Sequence, residues 1–372
     1  MIHSSQGPLR IAMVSALALP EMGGIETHVH EVSSRLAAGG ADVTVLTTDR
    51  SGALPADEEC SGYRVRRWCA YPRSADYCLA PGLTRHLMSE RYDVVHVQGI
   101  RTLLAPTALA AAQRAGTPSV LTLHTGGSRS ALRQSLRPVQ FRLWSPVLRR
   151  TTALVAVCEY ERQKIAALLG VGEGSIRLIR NGCDPLPIDD AAPKSDGSPL
   201  LVSAGRLERF KGHHRIMRAM PAILAQKPAA RLVVAGSGPY EKSLRKLAVR
   251  LGVAERVSIC SFGPDRRGSL GRLFADADLF CLLSECEAHP VAVMEAVGAG
   301  TKALVADTSG LSELGRAGIV TTIALSASDE EVAAAALNLA AAPRKVPPSI
   351  PSWDSCTDEL QRLYHEVVAC GS

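Results

Sequence analysis

Short β-branched runs alternate with amphipathic stretches along the whole chain, the pattern of parallel sheets assembled from βαβ units. In the first half the strand candidates are Arg10–Ser15, Asp42–Thr47, Asp93–Val97, Ser119–Leu123, Ala153–Val157 and Ile176–Ile179. Between the first two, Ile25, Val29, Val32 and Leu36 recur at helical spacing, and Gly39-Gly40 closes the helix. The second half restarts with Leu200–Ala204, then Arg231–Ala235, Val257–Cys260, Leu279–Leu283, Ala303–Ala306 and Ile319–Thr322. Between the halves, Pro185–Pro199 is rich in Pro, Asp, Ala and Ser with little to bury, and reads as a linker. The pattern predicts an N-terminal domain over residues 1–184, a linker over 185–199 and a second domain over 200–351. Both are expected to be α/β, Rossmann-like and doubly wound, facing each other across a cleft, with ligands at the carboxyl ends of their strands.

Composition supports this division. At 372 residues the chain is about twice a typical domain length. Hydrophobic residues make up 46% and aromatics only 4%, so the cores must be built from Ala, Val, Leu and Ile. The 10 cysteines are scattered without a Cys-x-x-Cys pair, which argues against a disulfide framework or a zinc site and for a reducing compartment. The opening Met-Ile-His-Ser-Ser-Gln-Gly-Pro lacks the basic-then-apolar pattern of a signal peptide. No uninterrupted apolar run approaches a membrane span. A cytoplasmic protein is expected, and no nucleic-acid partner.

The densest chemistry is Ser284-Glu285-Cys286-Glu287-Ala288-His289-Pro290, followed by Val291 to Met294 and then Glu295-Ala296. Glu287 follows a strand and Glu295 lies inside the next helix. That helix begins near Pro290 and Val291, where unpaired N–H groups and a positive dipole end offer a seat for a diphosphate. A loop carboxylate can accept hydrogen bonds from sugar hydroxyls, and one in the first helical turns from a ribose; the competing reading is a solvated helix face. Directly after the second domain's first strand comes Gly205-Arg206-Leu207-Glu208-Arg209-Phe210-Lys211-Gly212. The Arg206 fork and the Lys211 point charge can together neutralise a pyrophosphate, removing the need for a metal; a basic surface turn is the alternative. In the first half, Gly23-Gly24 follows a strand and opens a helix, letting backbone approach a phosphate or acceptor closely. His124 ends a strand and precedes Gly126-Gly127, a position that favours function over a structural role.

Taken in order, these residues resemble the family 4 retaining glycosyltransferases of the GT-B type, with their E-x7-E signature. The matches are Gly23-Gly24, His124, Asn181-Gly182-Cys183-Asp184, Gly205-Arg206 with Lys211-Gly212, Gly236-Ser237-Gly238-Pro239, and Glu287 with Glu295. Gly300-Thr301, and Gly310 with Glu313, extend them. Trp353, ahead of a helix over Asp358–Val368, resembles the family's terminal helix, which crosses back to the first domain; this assigns 352–372 to it. The resemblance implies transfer of a hexosyl group from a UDP- or GDP-linked sugar, with retention and without a metal or other cofactor. The acceptor is unidentified, lipid-linked or a small metabolite. It also implies that Arg206 and Lys211 clamp the diphosphate, Glu287 contacts the donor sugar and Glu295 the ribose. His124 lies near the reacting centre, and Gly23-Gly24 beside the phosphates. Ala288 and Lys302 stand where the family usually has Gly and Pro, and Cys158 where it usually has Ser. If the position of Ala288 needs a positive φ, alanine there is strained.

Other readings remain to be separated. A nucleotide-sugar epimerase or a phosphorylase could use the same fold, as could a catalytically silent sugar-nucleotide-binding protein. Asp276-Ala277-Asp278 matches a metal-binding Asp-x-Asp, but it sits where a helix runs into a strand, away from a strand's carboxyl end. Ser128 to Arg150 holds Arg129, Arg133, Arg137, Arg142, Arg149 and Arg150, and no Asp or Glu occurs from Val94 to Cys158. This Arg129–Arg150 region predicts peripheral contact with anionic lipid at the inner membrane face, binding of an anionic acceptor, or helix packing with solvated arginines. Pro138 and Pro146 are expected to break any long helix there.

Overall fold

The computed structural model describes residues 7–72, 78–125, 131–189, 198–344 and 349–371, with the side chains of residues 131–138 and 371 outside that description. The described residues fall into two units, one drawn from residues 1–125, 135–182 and 351–372, the other from 126–134 and 183–350. In the first, β1 (Arg10–Ser15), α1 (Gly24–Ala38) and β2 (Asp42–Asp49) are followed by the hairpin of β3 (Asp57–Cys60) and β4 (Tyr63–Cys69), then α2 (Pro81–Ser89). After these come β5 (Val94–Gln98), α3 (Leu104–Ala115), β6 (Ser119–Thr122), α4 (Ala131–Leu148), β7 (Ala153–Ala156), α5 (Glu159–Leu169) and β8 (Ile176–Leu178). The 8-stranded sheet runs β3-β4-β2-β1-β5-β6-β7-β8, and only β3 against β4 is antiparallel. Ile11 of β1 lies opposite both Val43 of β2 and Val94 of β5, so the strand order reverses there. The period of two along each strand sends Ala12, Val14, Val95, Val97, Leu121 and Leu123 to one face, against Leu83, Leu104, Leu109 and Ile165 of the helices.

The second unit is a 6-stranded, wholly parallel sheet. Its elements are β9 (Leu200–Ala204), α6 (His213–Gln226), β10 (Arg231–Ala235), α7 (Glu241–Arg250), β11 (Val257–Cys260), α8 (Arg267–Asp276), β12 (Leu279–Leu282), α9 (Val291–Gly298), β13 (Ala303–Ala306), α10 (Ser309–Arg316), β14 (Thr321–Ile323) and α11 (Asp329–Ala341). The order β11-β10-β9-β12-β13-β14 makes β9 the neighbour of both β10 and β12, so this sheet too reverses at its first strand. Leu201, Leu232, Leu279 and Leu304 face one layer of helices, where Ile216, Met220 and Leu244 sit. Val202, Phe280, Leu282 and Val305 face the other, where Phe274, Val293, Met294 and Leu311 sit. Both faces are covered, which is why these strands read as unbroken apolar runs. The last helix, α12 (Trp353–Gly371), returns to the first unit and packs on α1, where Arg35 Nε donates to Asp354 Oδ1 at 2.6 Å.

Three features depart from the sequence reading. The hairpin β3–β4 was not anticipated, because its charged residues Asp57, Glu58, Glu59, Arg64 and Arg66 mask the alternation of an exposed edge. Helix α4 passes through both Pro138 and Pro146 without a break. Pro146 is exposed and so is Arg142, whose carbonyl loses its helical partner and can turn to water. Finally, the described part of the linker is not idle: Asp189 accepts from Ser269 Oγ at 2.8 Å, and Leu186 joins the second unit's core.

Gly212 ends the loop after β9 with φ +75, and a Cβ there would overlap the carbonyl oxygen of Leu283 at the end of β12. Gly212→Ala should therefore destabilise the second unit by about 2–4 kcal/mol, through left-handed strain and displacement of that loop. A wild-type denaturant midpoint for this variant would overturn the account.

Candidate functional site

In an open parallel sheet the loops leaving the two strands at the order reversal diverge, and the opening between them is where ligands bind. In the second unit those loops follow β9 and β12, and they carry the residues singled out from sequence. Gly205 (φ +143) turns the chain out of β9 and exposes Arg206. Glu285 N and Ser284 Oγ both donate to Phe210 O, at 2.8 and 3.0 Å, so the two loops are tied by hydrogen bonds. This places Lys211 against Glu287: Nζ lies 2.7 Å from Oε1 and 2.9 Å from Oε2. Glu287 is 6% exposed. Its backbone is fixed as well, since its N–H donates to Ser309 Oγ at 2.8 Å and its carbonyl accepts from Gly310 N at 3.0 Å.

The remaining residues surround this pair. Arg206 is half-exposed and 3.3 Å from the buried Glu208, leaving most of its fork unengaged by that contact. Pro290 is the N-cap of α9 and Val291 its first residue, both buried. Glu295, also buried, accepts from Arg267 Nη2 at 2.5 Å. His213 accepts from Ser203 Oγ at 2.8 Å and reaches the Arg206 carbonyl at 3.3 Å, supporting the loop from beneath. Burial pulls its ring down to about 4, so it is neutral at pH 7. Arg267, Ser309 and His213 were not recognised from sequence. Arg267 carries no local signal, because its partner is a turn and a strand away. Ala288 is absent from the positive-φ residues, where Ser309 (φ +48) stands instead, so the strain considered for it does not arise. Asp276 pairs with Arg272 at 2.9 Å, and Asp278 accepts from Leu200 N at 2.8 Å. Among the described residues no three His, Cys, Asp or Glu gather as metal ligands.

The first unit carries a second polar cluster at the carboxyl ends of its own strands. Gly23 caps α1 in an extended conformation and Gly24 opens the helix, with Glu26 in the first turn. His124 follows β6 with φ +48 and is 8% exposed. Its Nε2 lies 2.9 Å from Gln98 Oε1. Gln98 Nε2 faces Met13 Sδ at 3.0 Å, an acceptor only, so the carbonyl side of the amide is the one turned to His124. Nε2–H therefore donates, and Nδ1 carries the lone pair. His96 binds Tyr364 of α12 at 2.6 Å and Thr122 at 2.8 Å. His28 binds Asn181 at 3.0 Å and lies edge-on to His124 and Trp353. Burial holds His96 and His124 well below their ordinary range, with neighbouring histidines adding to it, and pulls His28 down to about 4. Glu161, fully buried, accepts from the backbone N–H groups of Thr125 and Val157. Gly126-Gly127 and Arg129 lie outside the described residues, as do the side chains of Arg133 and Arg137.

Residues 22–185 match the family described as Glycosyltransferase Family 4, and residues 187–345 that described as Glycosyl transferases group 1. A glycogen synthase of Mycobacterium tuberculosis is 31% identical over 340 residues, covering 82% of this chain and 80% of that protein. A GDP-mannose:cellobiosyl-diphosphopolyprenol alpha-mannosyltransferase of Xanthomonas oryzae pv. oryzae is 30% identical over 336 residues, covering 86% and 85%. Among solved structures, Anabaena HepE in complex with UDP and glucose matches with a TM-score of 0.71 at 17% identity, covering 96% of this chain and 100% of that one.

The neutral histidines make a stability prediction with a definite sign. Their folded pKa lies below the unfolded value of 6.5, so their contribution is complete above that pH and is lost as pH falls toward about 4. Each adds a slope of ~1.4 kcal/mol per pH unit in that window. Denaturant unfolding followed from pH 7.5 downward (roughly neutral to mildly acidic) should show the first unit weakening steeply, and His28→Asn should flatten the slope by one share. Constant stability across the window would refute buried neutral rings.

Proposed function

Since the chain belongs to the family 4 glycosyltransferases of the GT-B type, we propose that it moves a hexosyl group from a UDP- or GDP-linked sugar to an acceptor hydroxyl, with retention and without a metal ion. The observation that carries this reading is the Lys211–Glu287 pair at the order reversal of the second sheet, beside the start of α9. Lys211 has three N–H donors; one hydrogen-bonds Glu287 Oε2, which leaves donors for a phosphate oxygen. Arg206 adds a fork of donors with half its side chain in solvent. Together with the α9 N-terminus at Pro290 and Val291, they would offset the charge that grows on the departing nucleoside diphosphate. Glu287, held rigid through its backbone, would accept from hydroxyls of the transferred sugar, and Glu295 from those of the ribose.

The step itself needs no enzymic nucleophile. The acceptor oxygen bonds to the anomeric carbon on the face from which the phosphate oxygen departs, and that phosphate oxygen takes the acceptor's proton. In the first unit, His124 with its Nδ1 lone pair and the Gly23-Gly24 turn are the proposed substrate contacts. The proximity of Lys211 to Glu287 favours this reading over a silent binding protein. Product formation only with an acceptor, and without inorganic phosphate, would separate it from an epimerase or a phosphorylase.

A second reading concerns the partner. Helix α4 exposes Val139 and Leu143, one turn apart, beside the exposed Arg142, in a segment without acidic residues. The Xanthomonas relative is named for a diphosphopolyprenol acceptor. An acceptor of that kind would bring this chain to an anionic lipid surface through α4. No helix of the described residues is long and apolar enough to cross a membrane.

Two outcomes are expected. Arg206→Ala and Lys211→Ala should each lose ~2–4 kcal/mol of transition-state stabilisation with the fold intact, turnover should survive EDTA, and the product should keep the donor's anomeric configuration. Wild-type rates in both variants would remove the clamp, a strict divalent requirement would remove metal independence, and an inverted product would remove retention. Vesicles containing anionic lipid should bind the protein at low salt and release it as salt rises, and Leu143→Glu should abolish this. Absence of binding at low salt would leave α4 as a solvated helix.

A further inference from the structure

We infer that Arg267 is a positioning residue that makes the second unit's nucleotide site selective for ribonucleoside diphosphates over their 2′-deoxy counterparts. The inference rests on the proposed assignment of Glu295 to the donor ribose, and its own content is the role of the arginine. Glu295 is 5% exposed, on the buried side of α9. A carboxylate so enclosed must be met by a cation or by N–H donors, and its direction is set by whatever meets it. Arg267 does this from the first turn of α8, with Nη2 2.5 Å from Oε1. Among the described residues it is the one side chain recorded within hydrogen-bond reach of that carboxylate.

The neighbouring arginine is otherwise occupied. Arg266 stacks its guanidinium 5.3 Å from the Phe262 ring, so of the two adjacent cations only Arg267 serves Glu295. Engaging Oε1 leaves Oε2 as an acceptor, and a carboxylate has lone pairs enough to take more than one hydroxyl. A ribose presents two neighbouring hydroxyl donors, while a 2′-deoxyribose presents one. A carboxylate held in one orientation loses a fixed hydrogen bond with the deoxy sugar; a swivelling one re-aims at the hydroxyl that remains and discriminates less. Sites that hydrogen-bond a substrate hydroxyl gain their selectivity in this way, from the acceptor left unpaired when the hydroxyl is missing. The substrate class that follows is UDP-, GDP- or ADP-linked sugars, with thymidine diphosphate sugars disfavoured.

The test is calorimetric binding by the full chain of UDP and GDP, each beside its 2′-deoxy form, and so needs no acceptor. The wild type should bind at least one ribonucleotide ~10-fold more tightly than the deoxy form. Arg267→Ala should bring that ratio close to unity, mainly by weakening the ribonucleotide, and Glu295→Gln should do the same. Combining the two should add little, since both act on one contact. Arg267→Lys keeps the cation without the planar fork and should restore part of the ratio, which a merely structural pairing of α8 with α9 would not produce. An unchanged ratio in Arg267→Ala, with Glu295→Gln collapsed, would overturn the inference and leave the ribose assignment standing. An unchanged ratio in Glu295→Gln would overturn both. If Arg267→Ala fails to fold, a full wild-type ratio in Arg267→Lys overturns the role of the fork. A wild type that binds neither nucleotide would refute the proposed function, and the inference with it.

Discussion

A carboxylate taken out of water costs several kcal/mol unless a cation or a set of N–H groups meets it. Among the carboxylates the second unit buries are Glu287, just before α9, and Glu295, within it. Much of the local architecture follows from meeting that cost. Because β9 lies beside β12, the loop after one can carry Lys211 to the glutamate after the other. The loops can approach that far only because Gly212 has no Cβ to strike Leu283. Arg267 reaches Glu295 from α8 because α8 and α9 pack on the same face of the sheet. Both pairings leave donors or acceptors over, which is what distinguishes a site able to take a ligand from a sealed ion pair.

The first unit meets the same cost by neutrality. His28, His96 and His124 are buried together, with no carboxylate paired to them among the described residues, and burial keeps them uncharged. Their hydrogen bonds run through Gln98, Thr122, Asn181 and Tyr364, so residues from β5, β6, α1 and α12 support one another. A neutral His124 whose Nε2–H is committed to Gln98 can accept from a hydroxyl but offers no positive charge to a phosphate.

What the sequence disclosed and what it concealed divide along a physical line. Most strands of both sheets were legible because burial on both faces writes them as apolar runs, and their parallel, doubly wound arrangement was implied by the βαβ rhythm. Arg206, Lys211 and Glu287 stood out in the sequence because each follows a strand end, and Glu295 because it lies in the helix after Glu287; the roles expected of them came from the family resemblance. The hairpin β3–β4 was not legible: β3 is the sheet's edge, where charge keeps a strand unpaired, and Arg64 and Arg66 interrupt the apolar residues of β4. Nor was the partner of either glutamate: a pairing across 76 positions, as for Lys211 and Glu287, is a property of sheet order and not of local spacing. Helix α4 shows the converse error. Proline removes one hydrogen bond, and where the freed carbonyl faces water the helix continues.

The departure at Ala288 shows how such a loop is held when its own sequence supplies no glycine. A left-handed residue lies instead beyond α9 and β13, at Ser309, with φ +48. That conformation opens α10 and turns the Ser309 hydroxyl toward the Glu287 N–H, while Gly310 N donates to the Glu287 carbonyl. Gly310 in turn must be glycine, because a Cβ would overlap the Ala288 carbonyl oxygen. Glu287 is thus held through its backbone by α10 and through its side chain by Lys211, two constraints that do not share an atom. A ligand that displaced Lys211 from the carboxylate would leave the backbone hold intact, so the position of Glu287 in its loop does not depend on the cation that meets its side chain.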